Sequence, residues 1–225
     1  MIGTLLGKVL PHAFMASLTN YKILSKEYGH FRSAKDWQSV DKDGQPIPWY
    51  TYPMVEFLKQ LDFSQKTVFE YGSGNSTLFW AERCKRVVAI EDDPAWYKLI
   101  KPRLPANVEY ILVDNKADYV QAIHQFDELF DIIIVDGSHR FECTKTARNR
   151  LSTTGMMILD NADWFIQTTA FLRGTNLLEI DMAGFNPING YATTTSVFMS
   201  RQIDLQPVGT YQPNFAVGGI HQHLD

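Results

Sequence analysis

Cysteine is scarce: Cys84 and Cys143 are the only two in 225 residues, too few and too far apart for a disulfide framework or a cysteine-based zinc site. A reducing, cytoplasmic setting is the resulting expectation. A surplus of basic residues is also missing. With 21 Lys+Arg against 25 Asp+Glu the formal charge is -4, so the long-range field repels a phosphate backbone and no nucleic-acid partner is expected. No apolar run reaches the roughly 18 residues that span a bilayer, which argues against an integral membrane protein. The stretch from Met1 to Leu18 is fairly apolar, but it lacks a basic leader and is interrupted by Lys8 and Pro11. It reads as an accessory helix covering the core rather than a signal peptide. Internal repeats are absent too.

What is present is the material of a packed globule. Hydrophobic residues make up 45% of the chain and aromatics 13%, enough for a sizeable core and an aromatic-lined pocket. At this length the expectation is one domain with appendages. Residues 1–66 form a helical cap segment, residues 67–201 the main domain, and residues 202–225, rich in proline and glycine, a loop-like tail or flap.

From Thr67 onward short β-branched runs alternate with mixed segments, the pattern of βαβ units. Strands are expected at Thr67 to Tyr71, Arg86 to Ile90, Val108 to Val113, Asp131 to Val135 and Met156 to Leu159. Each is too continuous in Val, Ile, Leu or Phe to have a polar face, as expected of strands buried on both faces. Two further strands, Leu177 to Met182 and Thr193 to Met199, are joined by a turn from Ala183 to Tyr191 too short for a crossover helix, so they should be antiparallel neighbours. The fold class is therefore α/β: a doubly wound, mostly parallel seven-stranded sheet with an antiparallel last strand, helices on both faces and an N-terminal helical cap.

The segment Val68-Phe-Glu-Tyr-Gly-Ser-Gly-Asn-Ser-Thr77 runs from a buried strand through a glycine turn into a helix. Such a turn exposes backbone N–H groups at the carboxyl edge of the sheet. Glu91 ends the next strand, 19 positions beyond Gly72, the spacing of a carboxylate that takes both ribose hydroxyls. Two departures disfavour a dinucleotide: Thr77 stands where a third glycine belongs, and Glu70 places a carboxylate where a pyrophosphate would lie. A nicotinamide-dependent oxidoreductase and a non-catalytic nucleoside-binding module are the competing readings.

This E-x-G-x-G turn resembles the first motif of the class I S-adenosylmethionine-dependent methyltransferases, and the likeness extends from about Trp49 to Met199. It implies that Glu70, Gly72, Ser73 and Gly74 surround the methionine part of the cofactor, that Glu91 takes the ribose, and that Asp114 meets the adenine amino group. A capping or turn role explains Asp114 equally well. Tyr50 and Tyr52 are candidates to lid the cofactor, or else to pack an N-terminal helix.

The fourth strand ends in Asp136-Gly-Ser-His-Arg140 and the fifth in Asp160-Asn161. This arrangement looks like that of the catechol-type, metal-dependent O-methyltransferases. It implies Mg²⁺ held by Asp136, Asp160 and Asn161, with His139 at the position of that family's basic lysine. Turn and N-cap roles are the ordinary alternative for these residues. The expected function is methyl transfer to a small-molecule acceptor at a hydroxyl, with Asp136 and His139 at the reacting end. Oligomeric state is left open.

Overall fold

The computed structural model describes residues 11–209 and 213–222. Residues 1–10 of the cap segment, with the start of the apolar N-terminal stretch, and residues 210–212 and 223–225 of the tail lie outside that description.

The main sheet has seven strands in the order β4-β3-β2-β5-β6-β8-β7. They are β2 (Thr67–Tyr71), β3 (Arg86–Glu91), β4 (Val108–Leu112), β5 (Phe130–Val135), β6 (Leu151–Leu159), β7 (Leu177–Phe185) and β8 (Ala192–Ser200). Pairing is parallel from β4 through β6, and β8 runs antiparallel to both β6 and β7. The α/β, mostly parallel sheet read from the sequence is therefore the one observed.

The strands alternate between two cores. Val68, Ile132, Ile134 and Ile158 point to one face, where Met54, Val55 and Leu58 of a helix at Tyr52–Lys59 and Phe79 and Trp80 of another at Asn75–Ala81 cover them. Phe69, Tyr71, Ile133 and Val135 point to the other, beneath Tyr119, Cys143 and Leu172. In chain order the helices are α1 (His12–Lys22), α2 (His30–Asp36), α3 (Tyr52–Lys59), α4 (Asn75–Ala81), α5 (Pro94–Ile100), α6 (Lys116–Gln121), α7 (Arg140–Ala147) and α8 (Ile166–Arg173).

Strand order reverses at β2: the chain proceeds to β3 and β4 on one side, then returns to β5 on the other. The loops that leave β2 and β5 diverge there and open a crevice, the usual ligand position in such sheets. Register places the strand ends side by side. Tyr71 pairs with Val135, and Val135 with Leu159, so the residues that follow, Gly72, Asp136 and Asp160, lie in one row.

Several expectations are corrected. Strand β6 begins at Leu151, five residues before the expected Met156, and its register against β5 shifts between the Phe130–Leu151 and Ile132–Met156 pairs. Gly155 permits that approach: a Cβ there would lie 2.6 Å from the Asp131 carbonyl. The β7–β8 hairpin is longer than expected, with strand extending to Phe185 and resuming at Ala192. Helix α1 buries none of its residues, so it does not cover the core; α3 and the chain before it do. Nor is the described tail a loose flap. Its Gln206–Pro207 (β9) pairs with Leu61–Asp62 (β1), and Asn214 donates its N–H to Gln60 Oε1 at 2.9 Å.

Candidate functional site

Gly72 has φ +99°, a conformation that L side chains rarely adopt, and it packs against the loop after β5. A Cβ on Gly72 would lie 3.0 Å from Gly137 N, and one on Gly137 would lie 2.8 Å from Gly72 N. The two turns are back to back, and only glycine fits at both positions. Between them and the end of β3 lies a cavity of about 300 Å³, lined by Gly72, Ser73, Glu91, Asp92, Trp96, Asp136 and Ser138 among others.

Glu91 is nearly buried at the end of β3. Its Oε1 accepts the N–H groups of Asp92 and Asp93 at 3.0 Å each, and its Oε2 accepts the Ser73 hydroxyl at 2.5 Å. Burial pushes its pKa up, and the Ser73 hydroxyl is the largest opposing influence. The glycine turn and Glu91 are thus physically joined, and Trp96 closes the arrangement by donating Nε1–H to the Ser73 carbonyl at 2.9 Å.

Glu70 is fully buried beneath the turn. Its two oxygens accept the hydroxyls of Ser76 (2.5 Å) and Thr77 (2.6 Å), and Thr77 Oγ1 in turn accepts the Gly74 N–H at 3.0 Å. Thr77, which breaks the three-glycine pattern, ties the turn to Glu70. Burial raises the Glu70 pKa from its ordinary 4.5 to about 8. Glu70 therefore supports the turn from below rather than facing the cavity.

A second chamber of about 700 Å³ continues from the first through Ser73, Trp96 and Asp136, which line both. Its walls include Trp37, Trp49, Leu99 and Ile188, with Asp36 and Arg103 also present. Trp37 is 69% exposed, has φ +51° and stands edge-on to Trp49. Buried Asn186 accepts Trp49 Nε1–H at 3.2 Å and thereby ties that wall to the β7–β8 loop.

Tyr50 is not a lid. Its side chain is fully buried in the core, where its hydroxyl lies beside the Trp80 indole N–H. Trp49, the preceding residue, lines the chamber instead, the chain bending at these two residues. Asp114 follows β4 in an exposed position and lines neither chamber. His139 adopts φ +53° at the N-cap of α7 and sets its ring edge-on against Tyr119, 6.2 Å between centroids. It too lines neither chamber, so its placement does not support a role as base.

Asp136, Asp160 and Asn161 do converge, but around Arg140. Its Nε donates to the Gly137 carbonyl at 3.1 Å. One terminal nitrogen donates to the Asp160 carbonyl and to Asn161 Oδ1 (3.3 Å), and the other to the Asp136 carbonyl (2.8 Å) and Oδ1 (2.9 Å). The Asp160 carboxylate turns elsewhere, accepting the Thr195 hydroxyl at 2.6 Å. Burial and the neighbouring Asp136 raise its pKa to about 8, whereas at Asp136 Arg140 opposes the upward push of burial.

The expected Mg²⁺ site is therefore corrected: the donor set does not fit an ion. A divalent ion sharing these oxygens with the guanidinium, ~4 Å away, would meet roughly 8 kcal/mol of repulsion at an effective dielectric constant of about 20. Among the described residues no group of three or more His, Cys, Asp or Glu is placed to hold one.

The sequence reading missed Trp37, Trp49 and Trp96 as cavity walls, and it missed Arg140. A signal for Arg140 existed. A cation in the first turn of a helix opposes the helix dipole and needs acceptors of its own.

No protein-family model matches the sequence, and no curated protein matches it. Solved structures do. Precorrin-6y C5,15-methyltransferase from Geobacter metallireducens GS-15 aligns at 15% identity over 74% of this chain and 96% of its own, with a TM-score of 0.53. A methyltransferase-like protein from Silicibacter pomeroyi DSS-3 aligns at 24% identity over 68% and 89%, with a TM-score of 0.49. The N-methyltransferase NodS from Bradyrhizobium japonicum WM9, in complex with S-adenosyl-L-homocysteine, aligns at 18% identity over 61% and 79%, with a TM-score of 0.45. The first of these shows a shared fold, and at these identities the likeness is one of fold.

Proposed function

We propose that this chain is an S-adenosylmethionine-dependent methyltransferase that acts on a small molecule at a hydroxyl. The observation that carries the reading is the joined pair at the sheet edge: a glycine turn whose Ser73 hydroxyl bonds Glu91, the last residue of the neighbouring strand. Glu91 can exchange that serine for ribose hydroxyls, since Oε2 already serves as the acceptor of an O–H group. Gly72, Ser73 and Gly74 bring backbone close to the methionine part, and Glu70 holds the turn in shape from below. When bound, the cofactor supplies an electrophilic methyl group on a sulfonium sulfur.

The larger chamber suits the acceptor. Its tryptophan and aliphatic walls exclude water and hold an apolar or planar body, and positioning accounts for much of the rate in such a displacement. Asp136 borders both chambers and is the group we assign to take the hydroxyl proton. Held by the Gly72–Gly74 turn and Glu91, the cofactor would supply the methyl group to the acceptor oxygen, and the Asp136 carboxylate would receive the proton that this hydroxyl loses.

Incubation with S-adenosylmethionine carrying a labelled methyl group, in the presence of a fractionated metabolite extract, tests this reading. Label is expected in small, hydroxylated compounds. Label only in macromolecules would refute the acceptor class, and no transferred label in any fraction would refute the activity.

A further inference from the structure

We propose that Arg140 is a built-in cation: its guanidinium occupies the position that a divalent ion would take at this sheet edge, so that the chain binds no such ion there. The acceptors around it are all oxygens, as a hard cation would require, and they come from the ends of both β5 and β6. A guanidinium has five N–H bonds, and five oxygens receive them. Nothing is left over on the arginine for a ligand, and the Asp136 Oδ1 and Asn161 Oδ1 atoms that an ion would need are already engaged.

The side chain is 11% exposed and lies over the Phe165 ring at 4.5 Å, so it is fixed from a second direction. Its position at the first residue of α7 is electrostatically unfavourable on its own, which makes a surface accident a poor explanation. Arg140 lines neither chamber. It is a positioning residue that clamps the β5 and β6 ends together and sets the orientation of Asp136 beside the two chambers. That last role rests on the methyl-transfer reading; the exclusion of an ion does not.

Mn²⁺ titration followed by electron paramagnetic resonance tests the proposal. Wild type is expected to show no saturable Mn²⁺ binding. Arg140→Ala exposes the oxygen cluster and is expected to gain Mn²⁺ affinity by about tenfold or more, and Asp136→Asn in the same background should remove the gain. A purely structural arginine would lower stability without creating that site. Saturable Mn²⁺ binding by wild type that disappears in Asp136→Asn would overturn the proposal. So would a folded Arg140→Ala that gains no affinity.

If Arg140→Ala does not fold, Arg140→Met keeps the packing on Phe165 and is read in the same way, and the wild-type arm decides independently. S-adenosylhomocysteine binding measured on the same samples separates the two claims. Wild-type Mn²⁺ binding with intact cofactor affinity overturns the ion substitution alone. Absence of cofactor affinity overturns the transfer reading and leaves the Mn²⁺ result standing.

Discussion

Replacement of Glu70 by glutamine probes the buried carboxyl under the glycine turn. Because burial raises its pKa from 4.5 to about 8, folded protein keeps a proton that the unfolded chain has released across that interval. The native state binds more protons there, so the contribution of Glu70 to stability is complete below about pH 4.5 and is lost as pH rises through about 8. The span is about 3.5 pH units, at ~1.4 kcal/mol each, or on the order of 5 kcal/mol by the alkaline end. Glutamine is nearly isosteric and does not titrate. Like the protonated carboxyl, it presents one donor and one acceptor end to the Ser76 and Thr77 hydroxyls, so it matches the wild-type acid form to within about 1 kcal/mol. Glu70→Gln should therefore be within about 1 kcal/mol of wild type near pH 5 and roughly 4–5 kcal/mol more stable near pH 8.5. Asp160 also titrates with a raised pKa, but it is present in both proteins and cancels in the difference. Urea denaturation of the two proteins at a series of pH values gives the comparison directly. A stability difference that stays constant across the range would refute the assignment of a buried, proton-holding Glu70.

Other substitutions give further expected outcomes. Tyr50→Phe deletes a buried hydroxyl beside the Trp80 indole N–H and leaves that N–H without an acceptor, so stability should fall by about 1–2 kcal/mol. Cofactor affinity should be unchanged within about twofold, whereas a larger loss by calorimetry would restore Tyr50 to the binding site. Gly137→Ala places a methyl 2.2 Å from the Tyr119 hydroxyl and 2.8 Å from Gly72 N. It should lower stability by about 1–3 kcal/mol in thermal melts and weaken cofactor binding. Adding Tyr119→Phe should recover part of the stability but little of the binding, since the clash with Gly72 remains.

Much of the sheet is legible in the sequence because strands such as Phe130–Val135 are covered on both faces and hold an unbroken apolar run, here Ile132 to Val135. The glycine turn, Glu91, Asp136 and Asp160 were locatable for the same reason: each stands at a strand end, and parallel register brings strand ends into one row. Side-chain direction is what the linear pattern does not carry. His139 and Arg140 are adjacent, yet the left-handed backbone at His139 turns its ring toward Tyr119 while Arg140 enters the acidic edge. Tyr50 and Trp49 lie in a bend, where no strand or helix period says which of the two faces inward. The pairing of β1 with β9 joins two-residue strands far apart in sequence, too short to leave a pattern. The exposure of α1 could not be read because its apolar residues, Phe14, Leu18 and Tyr21, resemble a core-facing stripe that in fact meets nothing in the described core.

The pairing of the glycine turn with Glu91 is most directly tested by calorimetric titration of S-adenosylhomocysteine into wild type and Glu91→Ala. Wild type should bind saturably at one site, and the variant should bind about tenfold to a hundredfold more weakly, as loss of charge-assisted hydrogen bonds to a ribose implies. No saturable binding by wild type, or equal affinity in the two proteins, would contradict the assignment of this edge as a cofactor site.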